Sequence, residues 1–293
     1  VDNMRDYYIA NIYYDNVDWP GWNTVFWRKR TAAYVPNALY GQDGRWRAAM
    51  KDNDDCFGMT TGILNHNNLA VATAPNGPDY PNPPSSTLIL RSLLANPSFK
   101  NNFINRFADL MNTYFLPSRY TAVSNAMKAR IQPEMQEHLN RWNATDYAWW
   151  ETAINNMNNF GNVRPAFQRQ HIRAKFGISS DITATLNVSD MAHGYIKLNT
   201  VDILESTPGV SANPYPWTGI YFHNIPVTLK AIPLSGYQFS HWSGASTSTN
   251  AEITITPTAN FSVTAHFIPS GNNNPPQVIY YWMMDTALAN DTP

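Results

Sequence analysis

The sequence holds one cysteine, Cys56, which excludes an intrachain disulfide and any Cys-rich zinc site and leaves packing alone to stabilise the fold. No apolar run approaches the ~18 residues that cross a bilayer, so no transmembrane segment is expected. The seven histidines show no paired spacing of the kind that holds zinc. Charge is sparse: 20 Lys and Arg against 21 Asp and Glu leave a net charge of -1, too little to draw nucleic acid or an anionic membrane. The chain begins at Val1 with neither an initiator Met nor a signal segment, and Gln277 to Met284 reads as a strand opening a unit that stops at Pro293. A piece of a larger protein is expected.

What is abundant is Asn, Ser, Thr, Pro and aromatic side chains, a balance familiar in exported proteins that work against polymers or surfaces. From Asp2 to Asn16, Met4, Tyr8, Ile9, Ile12 and Tyr13 recur at helical spacing, with Asp2 available as a cap. After the Asp18-Trp-Pro-Gly-Trp-Asn23 loop, Thr24 to Arg28 and Arg45 to Met50 read as two short strands, with a turn at Gln42-Asp43-Gly44 before the second. Thr60 to Ser86, broken by Pro75, Pro78, Pro81, Pro83 and Pro84, is expected to be one long loop, a candidate lid.

Helices are then expected from Asn96-Pro97 onward, with Phe99, Phe103, Phe107, Leu110 and Tyr114 as one stripe, and at Thr121 to Trp142, Tyr147 to Phe160 and Pro165 to Phe176, the last closed by Gly177. From about Asp181 the period changes to two. Strands are expected near Thr183 to Val188, Tyr195 to Asn199, Ile220 to Phe222, Val227 to Pro233, Ile253 to Thr256 and Ser262 to Phe267. The fold class is therefore multi-domain. A mainly α domain with a small β-hairpin spans 1–180, an all-β module, sandwich or β-grasp-like, spans 181–269, and 270–293 holds a linker and the start of a further unit.

The chemistry concentrates in Asp18 and Asn23, five positions apart on one loop, and in Asp52 and Asp54 after the hairpin. Phosphoryl transfer needs a carboxylate near the accepting hydroxyl and hard oxygen ligands for a divalent cation. The Asp-x-x-x-x-Asn spacing is that of a protein-kinase catalytic loop, without its preceding His-Arg, and a later Asp supplies a second ligand. The same residues are ordinary turn formers, which is the competing reading. An EF-hand is excluded, because Cys56 and Phe57 stand where that loop needs an oxygen ligand and a glycine. His138 and Arg141 share a helical face and are assigned a buried structural role, Trp149 and Trp150 are assigned to the core, and Cys56 is a small packed hydrophobe.

The stretches Asn16-Val-Asp-Trp-Pro-Gly-Trp-Asn23, Trp46-Arg47, Asp52-Asn-Asp-Asp-Cys-Phe-Gly58, Asn96-Pro-Ser-Phe99, Arg106-Phe107, Ile131-Gln-Pro-Glu134, His138 and Arg141-Trp142 resemble the CotH kinases. These are atypical secreted kinases related to spore-coat protein H, and the resemblance covers roughly residues 1 to 178. It implies a kinase-like C-terminal lobe, Asp18 as catalytic base, Asn23 as a metal ligand, and Asp52 or Asp54 as the other, with Asp52 favoured. It also implies ATP with Mg²⁺ or Mn²⁺ in the full-length protein and a surface or coat protein as acceptor. Lys51 departs from the family's usual Trp, and no G-x-G-x-x-G or nucleotide-binding Lys precedes Asp18. Residues 1–293 alone are thus expected to lack the nucleotide-gripping lobe and to have little or no activity.

Gly236-Tyr237-Gln-Phe239-Ser-His-Trp242-Ser-Gly244 is similar to the Gly-Tyr-x-Phe-x-x-Trp-x-Gly signature of the divergent internalin-type bacterial repeat. That resemblance implies a secreted or cell-surface protein in which the β module is a spacer or adhesion unit. Two rival functions stand beside the kinase: a non-catalytic structural or adhesive scaffold, and a carbohydrate-associated protein that contacts cell-wall or other polysaccharide through Tyr215, Trp217 and Tyr221.

Overall fold

The structure, a computed structural model, describes residues 1–59, 62–76, 83–143 and 146–271. The expected strand at Gln277 to Met284 and most of the linker before it lie outside those residues. Helix α1 (Asp2–Tyr14) buries Tyr8, Ile9, Ile12 and Tyr13; Val1 is its cap, and Asp2 sits in the first turn, where a negative charge suits the helix dipole. Asp15 closes the helix in the left-handed conformation (φ 60). Strands β1 (Val25–Trp27) and β2 (Arg47–Ala49) pair antiparallel, and Asn3 fastens α1 to them by accepting from the Ala48 N–H and donating to its carbonyl. The long connection between these strands is anchored by Asp43, whose buried carboxylate accepts both ends of the Arg47 guanidinium and is held well below the usual carboxylate range by it.

Of the expected 60–86 loop, 60–61 and 77–82 lie outside the described residues, and in the rest two helices correct the expectation. α2 (Asn68–Ala72) is capped by the Asn67 side chain and buries Asn68, Leu69 and Ala72, while α3 (Pro84–Leu94) starts inside the range with proline at its first position. Prolines there mark a helix start as well as a break. α4 (Pro97–Met111) begins on Asn96, which accepts from the Phe99 N–H, and it carries the Phe99, Phe103, Phe107 and Leu110 stripe; Tyr114 lies past its end and is exposed.

α5 (Pro117–Trp142) packs against α6 (Tyr147–Phe176), a single 30-residue helix where a break before Pro165 was expected. Phe160, Arg164, Gln168 and Ile172 are fully buried at four-residue spacing on both sides of the proline, so one packed face runs through the site of the missing hydrogen bond. Gly161 is required beside it, because a Cβ there would stand 2.1 Å from the Tyr120 ring of α5. His138 is exposed, which corrects its buried role, and of the tryptophan pair Trp150 is buried while Trp149 is exposed.

The β part contains β3 (Asp181–Val188), β4 (Gly194–Leu198), β5 (Val201–Asp202), β6 (Trp217–Phe222), β7 (Val227–Pro233), β8 (Tyr237–Gly244), β9 (Glu252–Ile255) and β10 (Phe261–Pro269). They form two four-stranded sheets, ordered β6-β3-β10-β8 and β5-β4-β7-β9, in which only the β3–β10 pair is parallel among the described residues. Alternate residues of both sheets, among them Ala184, Leu186, Ile196, Leu229, Val263 and Ala265, enter one core. β5 and β8 are additions to the expected strands. β8 leaves the Gly236 turn (φ +87) and buries Trp242, whose indole donates to the Asn250 carbonyl.

The helical and β parts meet along α4. Fully buried Asp109 accepts from Asn199 Nδ2, the Thr200 N–H and hydroxyl, and the Tyr221 hydroxyl, while Asn112 bridges the Ile220 N–H and carbonyl. No helix among the described residues is long and apolar enough to cross a membrane.

Candidate functional site

The Asp18 loop is held from beneath by the end of α1. The last carbonyls of a helix have no partner within it; here Arg164, fully buried, donates Nη2 to Ile12 O at 2.7 Å, Nε to Tyr13 O at 2.8 Å and Nη1 to His66 O at 2.7 Å. Its charge faces the buried Asp15 carboxylate at 3.8 Å, and Asp15 Oδ1 lies 2.6 Å from His66 Nδ1. Burial pulls the Arg164 guanidinium down from its ordinary value, and Asp15 opposes that pull. Asn16 and Asn68 extend the lattice: Asn16 Nδ2 donates to Asn11 Oδ1, and Asn68 Nδ2 to Asn16 O.

On this base the loop turns outward. Trp19 is buried with its indole N–H donating at 2.8 Å to the Tyr7 hydroxyl, and the Trp22 N–H donates to the Asp18 carbonyl at 3.0 Å. The segment from Asp52 to Gly58 is brought to the same place by the backbone: the Phe57 N–H donates to Tyr14 O at 2.7 Å, and the Val17 N–H to Asp55 O at 3.5 Å. Phe57 and Gly58 both take positive φ, and the Phe57 ring packs on Tyr14, Tyr120 and Phe160. Cys56 is fully buried, and its thiol is pushed up to about 12 by burial and by the surrounding carboxylates.

Asp18, partly exposed, has its carboxyl beside that of Asp55, and its pKa is raised, first by partial burial and then by the nearness of Asp55, Asp54 and Asp52. Asp52 and Asp54 are exposed, Asp52 with φ 52, and both lie within electrostatic reach of Asp18. Asn23, also at positive φ (55), is half-buried, and no hydrogen bond joins its side chain to the acidic group among the described residues. Asp55 is the member that sequence reading missed; its place directly after Asp54 was the available signal, hidden because only the backbone pairing to Val17 shows which acid turns toward Asp18.

The donor set fits a hard divalent cation in kind, being carboxylate and amide oxygen. In arrangement, among the described residues no three His, Cys, Asp or Glu side chains converge as a metal cluster. Tyr215, Trp217 and Tyr221, expected as a carbohydrate platform, face inward: Tyr221 is fully buried under Asp109, Trp217 is buried, and the Tyr215 hydroxyl accepts from the Ile196 N–H.

The family model described as CotH kinase protein matches residues 1–168, and that of the divergent InlB B-repeat domain matches residues 205–271. No curated protein and no solved structure matches the chain. Strands β3, β4 and β5 precede the second match yet pair within the same two sheets.

Proposed function

The chain belongs to the CotH kinase protein family, and from that membership we propose that the full-length protein transfers the γ-phosphoryl group of ATP to a Ser or Thr hydroxyl of another protein. The supporting observation is the meeting of the Asp18 carboxyl with the Asp52 to Asp55 segment across two backbone bridges. In this reading Asp18 accepts the proton of the attacking hydroxyl as its oxygen bonds to phosphorus and ADP leaves. A carboxyl raised by partial burial and by its acidic neighbours is a better base than an ordinary one. Asp55, beside it, positions that carboxyl. Asp52, Asp54 and Asn23 would hold Mg²⁺ or Mn²⁺, which when bound neutralises charge on the phosphate oxygens.

The B-repeat match supports placement outside the cell or on its surface, and with it a surface or coat protein as acceptor. The rival reading, a kinase-like scaffold without catalysis, is favoured by the lack of a three-acid cluster among the described residues. The deciding experiment is transfer of labelled phosphate from ATP with Mn²⁺ or Mg²⁺ by the full-length protein, comparing wild type with Asp18→Ala and Asp52→Ala. Loss of about a hundredfold or more is expected for Asp18→Ala, the range of a general base. Equal incorporation by all three removes the proposed roles, and no incorporation by wild type favours the scaffold.

A further inference from the structure

Behind the apolar stripe of α4 lies a second, polar one. Ser98, Asn101, Asn102 and Asn105 fall at i, i+3, i+4 and i+7 and face a cleft of 680 Å³ whose opposite wall is β4, β7 and β9. Asparagine is a poor helix former, so three on one face of a helix work against it unless the face has another use. Asn105 forms part of the cleft's lining and is only 6 % exposed. Its Nδ2 donates to Pro226 O at 2.7 Å, while its Oδ1 is buried and has no donor. A buried acceptor left unpaired is costly and marks where a donor belongs.

The charges in the cleft are already answered. Lys230 pairs with Glu252 at 3.3 Å and Lys197 faces Asp202 at 3.8 Å, so the walls present no net field to an anion. The Asn199 amide and Thr200 hydroxyl on the sheet side are engaged with Asp109, and what the α4 wall presents is the Ser98 hydroxyl and the Asn101 and Asn102 amides, which donate and accept together as sugar hydroxyls do. The volume lies within the range of small-molecule sites, but the polar walls do not suit an apolar ligand.

We propose that the cleft between α4 and the β5-β4-β7-β9 sheet binds a neutral oligosaccharide, with Asn105 Oδ1 accepting from a sugar hydroxyl and Asn101 and Asn102 bonding its neighbours. The site lies apart from the residues of the phosphotransfer reading and does not depend on it.

Calorimetric titration of the whole chain with cellohexaose, chitohexaose, xylohexaose and mannohexaose, and with heparin oligosaccharide as a charged comparison, tests this. At least one neutral chain is expected to bind saturably. Asn101→Ala with Asn102→Ala should weaken that binding about tenfold, the loss of two neutral hydrogen bonds. The same double variant should melt at or above the wild-type temperature, because alanine is the better helix former. Asn102→Trp, which fills the cleft, should weaken binding likewise, and Asp18→Ala should leave it unchanged. Absence of saturable binding to every neutral chain, unaltered binding by the alanine pair, or tighter binding of heparin than of any neutral chain overturns the proposal.

Discussion

Arg164 Nε donates at 2.8 Å to the carbonyl of Tyr13, 151 residues earlier in the chain. That bond and its two companions place a guanidinium from the middle of α6 under the loop that carries Asp18. Removing it leaves the Tyr13 and His66 carbonyls without this donor, Ile12 O with only the Asp15 N–H at 3.3 Å, and the buried Asp15 carboxylate with His66 but without its guanidinium. Arg164→Leu is expected to cost about 3 to 5 kcal/mol, as for one partner removed from a buried pair. Urea unfolding at neutral pH measures it; a cost under about 1 kcal/mol would show that the carbonyls had found other donors.

Asp18 and Asp55 set two acidic side chains beside one another, which is unfavourable when both are ionised. With the folded pKa of Asp18 raised, its contribution to stability is complete below the ordinary carboxylate value and declines as pH rises through the raised one. Asp18→Asn removes the decline. The melting temperature at pH 7 is expected to rise by about 2 °C, while phosphate transfer falls. An unchanged or lower melting temperature at pH 7, with the usual value at pH 3, would place the carboxyls apart in solution.

His171 runs the other way. Burial first, then the Arg164 charge, lowers its imidazole from 6.5 to about 4, and its Nδ1 has no partner. Asp15 opposes the shift, the Asn65 backbone does too, and His66 adds to it. The folded protein keeps the ring neutral while the unfolded chain protonates it, so stability is present above the ordinary value and is lost as pH falls toward 4. His171→Gln should shrink the loss of stability between pH 7 and pH 4 by on the order of 1 to 2 kcal/mol, discounted for partial exposure. Denaturant titrations at the two pH values give the difference directly, and parallel curves for both proteins would remove His171 as the cause.

Asp109 answers four donors from β4's end and β6 with two oxygens. Asp109→Ala leaves the Tyr221 hydroxyl, the Thr200 N–H and hydroxyl and the Asn199 amide without their acceptor. A loss of about 3 kcal/mol or more is expected, and Asp109→Asn, which keeps one oxygen, should lose less. Equal melting temperatures for both variants and wild type would mean that water had entered the junction.

The sequence was most legible where period and caps coincide. Asn96-Pro97 started a helix, Gly177 ended one, and Val227 to Pro233 formed the strand its alternation implies. It was least legible at proline. Pro83 and Pro84 open α3 and Pro165 stands inside α6, because the packing of Phe160, Arg164, Gln168 and Ile172 outweighs a local preference that no window of sequence can weigh. At the candidate site the candidates Asp18, Asp52 and Asp54 were visible from spacing. Asp55 and the buried Arg164 were not, since one depends on a backbone pairing to Val17 and the other on a helix distant in the chain.

The junction along α4 is made of directional bonds as well as apolar contact. Grease lets two surfaces slide; a carboxylate with four donors and an amide bridging one strand residue on both sides tolerate a single angle between them. A tug on the outer strands therefore reaches the aromatic side of α4, and through Phe107 and Tyr13 the base of α1, as rotation of one stiff piece. An anchor that fixed the β sheets to a large polymer would thereby fix the direction in which the acidic loop faces.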